Sequence, residues 1–193
     1  MTTINTIGYG YWPTGNRLPR LLATLQEAEI NLLIDIRHSP CPSSLKPQSH
    51  YGPRDWHLRH GGQGIDEHLH HVGIEYHWLV ELGNPQKNDP DMAILRAHLA
   101  QPDRPWPVNR GLALLHQLVR EDGKQCCLLC ACKNYDACHR KLIVEALSQR
   151  YFQGRLPILE LSKKATAVRH GVDLNNPTDV ATMSSLMPTV SRR

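Results

Sequence analysis

The chain has 193 residues, 40% hydrophobic and 21% charged, with a formal net charge of +4 and a pI near 8.8. That is enough for one well-cored domain and short for two. No stretch approaches the roughly 18 apolar residues of a membrane span, the first residues lack the basic and apolar regions of a secretory signal, and five of the six cysteines crowd into residues 126–138 instead of joining distant loops. These features predict a cytoplasmic protein with reduced thiols and no membrane partner. The mild positive charge suits a phosphate-bearing small molecule or a nucleic acid.

Along the chain, "INTIGYG" (Ile4 to Gly10) reads as a strand closing in a glycine turn. "RLPRLLATLQEAEI" sets Leu18, Leu21, Leu22 and Leu25 at helical spacing, with Pro19 in the first turn. "NLLIDIR" (Asn31 to Arg37) is an apolar run with a polar tip, as a buried parallel strand requires. The opening is therefore strand, helix, strand, the βαβ unit. From His38 to about Gly64 the pattern breaks into a long segment rich in Pro, Ser, Gly and His. "IDEHLHHVG" predicts a short helix and "IEYHWLVELG" a third strand. "DMAILRAHLA" and "RGLALLHQLVRED" predict two helices separated by the prolines of "QPDRPWPVN". "KQCCLLCA" is a fourth strand, "ACHRKLIVEALSQRY" a helix, and "LPILEL" a fifth strand. The sum is a Rossmann-like three-layer α/β domain over residues 1–161 with a mainly parallel sheet of about five strands, followed by a polar, partly ordered tail over 162–193.

Ligands of such sheets bind beyond the carboxyl ends of the strands. The unusual residues lie there: Gly8, Tyr9 and Gly10 after the first strand, Asp35 and Arg37 at the second, Glu81, Gly83 and Asn84 at the third, Cys130 and Cys132 at the fourth. Asp35 and Arg37 also share a strand face, where an ion pair is the plain alternative.

The cysteines divide. Cys126 and Cys127 read as core residues, since free cysteine is among the most buried residue types. Cys130, Cys132, Cys138 and His139 have the ligand types of a zinc site, but C-x-C is not the usual C-x2-4-C spacing. On an extended strand its α-carbons stand about 6.5 Å apart. The pair converges only if the strand has ended before Cys132, so the sequence expectation is no metal and no cofactor. In "NYDACHRKLIVEAL", Leu142, Ile143, Ala146 and Leu147 give a helix its inward face. Asp136 fits the N-cap, which puts Cys138 in the first turn near the positive helix end, with His139 and Arg140 beside it. That arrangement serves a reactive thiol, an anion pocket or a well-capped helix alone. The long Cys-to-Arg spacing, without glycine, fails the tight cradle of phosphatases and rhodanese-like sulfurtransferases. "CLLC" reads as strand interior, not as a redox C-x-x-C turn.

Other candidates have plainer readings. His68 and His71 share a helix face in a histidine-rich stretch that also holds His57, His60 and His70, and solvated side chains account for them. Trp56 and Tyr51, flanked by Arg54 and Arg59, offer a stacking surface for bases or an apolar pin for the loop. "GGQG" (Gly61 to Gly64) follows no clear strand and is not a phosphate loop.

"TIGYG", "LLIDIRHSP", "GIEYHWLVELGNP" and "LLCACKNYDACHR" occur in that order, and together they resemble family 488 of the domains of unknown function, the YeaO-like group of bacterial and archaeal proteins. The resemblance covers roughly residues 4 to 160. It implies a Rossmann-like domain and a site built from Gly8, Tyr9, Asp35, Arg37, Leu82, Gly83, Asn84, Cys130, Cys138, His139 and Arg140, and it implies no reaction. The histidine-rich segment and the residues after Leu161 depart from the shared pattern.

The expectation is an enzyme on a phosphate-bearing or nucleotide-like substrate. Asp35 or His139 would move a proton and Cys130 or Cys138 would be the nucleophile; Gly8, Tyr9, Arg37, Asn84 and Arg140 would bind substrate. A non-catalytic nucleotide or nucleic-acid module, or a zinc-stabilised interaction domain, is the alternative.

Overall fold

The structure is a computed structural model that describes residues 2–39, 58, 63–84 and 88–162. Its strands are β1 (Ile4–Gly8), β2 (Leu32–Asp35), β3 (Glu75–Trp78), β4 (Cys126–Cys130) and β5 (Ile158–Glu160). Its helices are α1 (Arg17–Glu27), α2 (Ile65–His71), α3 (Ala93–Leu99), α4 (Pro107–Val119) and α5 (His139–Phe152). The five strands form one all-parallel, Rossmann-like sheet in the order β3-β2-β4-β1-β5. Among the described residues no helix is long and apolar enough to cross a membrane.

Alternation along the strands sorts the core into two layers. Ile4, Leu32, Ile34, Cys126 and Leu128 face α3, α4 and α5; Ile7, Leu33, Cys127 and Leu129 face α1 and α2. Cys126 and Cys127 are fully enclosed, one in each layer, as expected of strand cysteines. The α1 leucines at 18, 21, 22 and 25 are all buried. On α5, Ile143, Val144 and Leu147 are buried, while Leu142 and Ala146 pack against the same core only in part.

Boundaries differ from the sequence reading at two instructive places. The helix expected from Arg110 starts at Pro107, which occupies the first turn, where its missing amide hydrogen costs nothing. The third strand stops at Trp78 because its partner β2 stops at Asp35; the apolar run that follows turns into a 3-10 helix at Val80–Leu82. The polar tail beyond residue 162 and most of the histidine-rich segment lie outside the described residues.

Layering also decides where a site forms. β1 and β2 lead into helices on one layer, whereas β4, which lies between them, leads into α5 on the other. Two switch points therefore flank the carboxyl end of β4, the crevice in which open parallel sheets bind ligands.

Candidate metal centre

β4 ends at Cys130, and the chain bends at the next residue, Ala131. The Cys132 amide donates to Cys130 Sγ at 3.5 Å, and the Gly10 amide donates to the Ala131 carbonyl at 3.1 Å, tying this bend to the loop after β1. Asn134 Oδ1 then accepts from the Asp136 amide at 3.0 Å, a local turn that sends the chain back to the sheet. Cys138 arrives as the N-cap of α5 in extended conformation. The expectation of Asp136 as N-cap is thus corrected: it stands two residues too early, and its carboxylate pairs with Lys141 at 2.9 Å.

These turns bring Cys130, Cys132, Cys138 and His139 together, with their candidate ligand atoms all within 4.8 Å of one another. Cys138 and Cys130 Sγ are 3.3 Å apart, and His139 Nδ1 lies 3.7 Å from Cys130 Sγ and 3.9 Å from Cys138 Sγ. His139 Nε2 is 2.9 Å from the Ile36 carbonyl at the end of β2. A carbonyl only accepts, so Nε2 carries the hydrogen, and in the neutral ring the Nδ1 lone pair faces the sulfurs. Metal-bound histidines are held in this way, with the outer ring nitrogen donating to a carbonyl or carboxylate. Cys130, Cys138 and His139 are buried, and Cys132 is partly exposed.

Without a metal these contacts favour one thiolate beside an imidazolium. Hydrogen bonds from Cys130 and Cys138, joined by His139, hold the Cys132 thiol far below its ordinary range. Cys130 is pushed up to about 12, first by its bond to Cys132 and further by burial. Cys138 is pushed up strongly by its bonds to Cys130 and Cys132. Burial alone would lower His139, but bonds to Cys132 and Cys138 outweigh it and bring it up to about 9.

Arg140 is fully buried beneath this cluster. It donates to the Cys132 carbonyl at 2.9 Å and to Glu160 Oε2 at 3.3 and 3.4 Å, and stands over the Tyr135 ring. Gly8 makes room for it: a Cβ there would lie 2.1 Å from the Cys132 carbonyl oxygen and 2.7 Å from Arg140 Nη1.

Other expected site residues form a second group on the α1–α2 layer. Asp35 accepts from Arg37 Nε and Nη2 at 2.9 and 2.5 Å, from the Arg37 amide at 2.9 Å and from Tyr76 Oη at 2.7 Å. Arg37 Nη1 donates to Tyr9 Oη at 3.2 Å. Both side chains are buried. Asn84 is buried apart from either group, donating to the Asp89 carbonyl at 3.0 Å. Gly83 packs on His38, Leu82 is in the core, and Glu81 pairs with Arg110. His71 bonds the Glu67 carbonyl of its own helix, and Gly64 only opens that helix. Tyr51, Arg54, Trp56, His57, Arg59, His60, Gly61 and Gly62 lie outside the described residues.

Sequence reasoning weighed Cys132 and left it out of the site. The residue pattern carries no signal for it: strand pairing, five residues from Cys126, is what ends β4 at Cys130. Glu160, which anchors Arg140, carries no sequence signal beyond its place on the last strand.

No curated protein and no solved structure matches the chain. A family model does match, over residues 54–147, taking in β3, β4, the cysteine turn and the first part of α5. The "TIGYG" and "LLIDIRHSP" motifs, with Gly8, Tyr9, Asp35 and Arg37, lie before the matched stretch. The model is that of the domain of unknown function DUF488, and the Cys3His cluster falls inside the matched stretch.

Proposed function

We propose that the protein is a metal-binding α/β domain in which Cys130, Cys132, Cys138 and His139 hold one zinc ion. The observation that carries this reading is the convergence of four soft or borderline donors within 4.8 Å. Zinc–sulfur bonds of about 2.3 Å and zinc–nitrogen bonds of about 2.0–2.1 Å give a tetrahedron with edges of about 3.6–3.8 Å. The separations of 3.3, 3.7 and 3.9 Å within the cluster bracket those edges. An iron–sulfur cluster with more than one iron divides its ligands between ions and needs a wider set. Three thiolates and one neutral imidazole around a divalent ion leave a net charge of about −1, which buried Arg140 faces. Four protein ligands close the coordination sphere, as structural sites do. The ion would join the ends of β4 and β2 to the start of α5, a zinc-stabilised module. A reducing, cytoplasmic setting belongs to this reading, because all three thiols must stay reduced to bind.

The test is elemental analysis with thiol alkylation of the freshly reduced protein. One zinc per chain, with Cys130, Cys132 and Cys138 shielded until chelator is added, is the expected result. Metal-free protein that folds normally and stays metal-free when offered zinc would sink the reading.

A second reading, a small phosphate-bearing ligand or substrate, is favoured by one feature. A cavity of about 220 Å³ beside Cys138 is lined by Arg96 and Lys141, with Asp136 and Glu145 at its rim. Arg37 and Arg140 are each engaged by an acid and Lys141 pairs with Asp136, so Arg96 would supply most of the charge. Nucleotide or oligonucleotide binding that weakens steeply with salt supports it, and binding indifferent to salt counts against it.

A further inference from the structure

Three of the four candidate ligands are thiols, and they differ in access. Cys132 is partly exposed, while Cys130 and Cys138 are buried behind it, all within 4.8 Å. Cys126 and Cys127, at the opposite end of β4, are sealed in the two core layers. A partly exposed cysteine with a second thiol within 4.8 Å is the arrangement that two-electron thiol oxidation uses. The first sulfur is oxidised, and the second closes on it before oxidation goes further.

We infer that the cluster reduces hydroperoxides, with Cys132 as the attacking sulfur and Cys138 as the resolving one. The Cys132 sulfur attacks the terminal peroxide oxygen: an S–O bond forms, the O–O bond breaks, and the leaving oxygen takes a proton to depart as an alcohol or water. The Cys138 thiol then attacks the resulting sulfenic acid. An S–S bond forms, the S–O bond breaks, and the hydroxide leaves as water with the Cys138 proton. One hydroperoxide and two thiols give one alcohol (or water), one water and one disulfide, the two sulfurs supplying both electrons. Cys138 is the partner because it approaches from a separate turn, whereas a bridge between Cys130 and Cys132 would close a small, strained ring. With zinc bound, the disulfide leaves only Cys130 and His139 as ligands, and the ion departs. Metal release rests on the zinc reading above; the thiol step does not.

The experiment uses reduced full-length protein carrying Cys41→Ser, so that the sixth cysteine is silent, loaded with zinc and given one equivalent of hydrogen peroxide. Zinc release is followed with a chromogenic chelator, and bridges are mapped by mass spectrometry of unreduced peptides. About one zinc released per peroxide consumed, a Cys132–Cys138 bridge, and reversal by a dithiol are expected. Adding Cys132→Ser should slow peroxide consumption at least about tenfold. Zinc retained with intact thiols after several equivalents overturns the inference and leaves the zinc reading standing. If the reduced protein holds no zinc, mapping of the metal-free chain decides. A Cys132–Cys138 bridge then supports the thiol step although the zinc reading has fallen. Oxidation spread over Cys126 and Cys127, or sulfinic acid on Cys132 without a bridge, overturns it.

Discussion

At the carboxyl edge of the sheet, the α1–α2 layer holds Asp35, Arg37, Tyr9 and Tyr76, and the α3–α5 layer holds the three thiols, His139 and Arg140. In the first group every charge is answered within the group: the Asp35 carboxylate is bracketed by the Arg37 guanidinium, the Arg37 amide and the Tyr76 phenol. In the second, the donors converge on one another: three buried or half-buried thiols and an imidazole whose outer nitrogen is held by the Ile36 carbonyl. The first arrangement is complete as it stands. On the zinc reading proposed above, the second is completed by a cation. Polar residues at a strand end thus mean different things according to whether their partners are complementary or alike.

The comparison breaks if the cysteine group proves indifferent to metal. Cys138→Ser should weaken zinc binding by at least about a thousandfold, or about 4 kcal/mol. Zinc at a thousand times its Kd should add about 4 kcal/mol to stability in urea, which chelator removes. Unchanged denaturation midpoints with and without chelator would put both groups in the same structural class.

Proton release sharpens the contrast next. Cys130, Cys138 and His139 are all shifted toward keeping their protons, and Cys132 toward losing its own. Zinc binding should therefore expel about three protons and strengthen steeply as pH rises. Calorimetry in buffers of different ionisation heat reads this number directly, and fewer than one proton would refute it. The metal-free protein should behave otherwise. The raised His139 pKa gives stability present below about 6.5 and lost as pH rises through about 9. The depressed Cys132 pKa works the other way, its share growing as pH rises toward the ordinary thiol value of 9.0. The two offset each other between these limits. Above about 9, Cys130 keeps its proton in the fold and loses it in the unfolded chain, so stability falls.

Asp35→Asn should cost about 3–5 kcal/mol, because it leaves the buried Arg37 charge uncompensated. It should leave zinc stoichiometry at one, and loss of metal in this variant would show the two groups to be coupled. Gly8→Ala, whose Cβ meets the Cys132 carbonyl and Arg140, should cost about 1–3 kcal/mol and weaken metal binding. The smallest effect belongs to Asp136→Ala: a shift in melting temperature under about 2 °C, as suits a surface position and not an N-cap.

Much of this architecture is written in the order of the residues. Periodicity places the leucines of α1, the apolar run of β2 and the cysteine-rich β4, and the alternation of strands and helices dictates a parallel sheet, since parallel neighbours require crossovers. Pattern also marks which residues stand at strand ends. It does not say where a strand stops to within two residues, and the site turns on that: while β4 is thought to run past Cys130, C-x-C points its thiols along a strand. Once β4 ends there, Cys132 folds back on its neighbour. Nor does the sequence pair His139 with the Ile36 carbonyl, 103 positions away, or Arg140 with Glu160 on the edge strand. Local propensity and hydrophobic pattern are carried by near neighbours in the chain, so the sequence by itself determined the elements, their layers and the crowd of cysteines. Convergence of donors on one point depends on distances between segments far apart in sequence, and only the tertiary structure decided it.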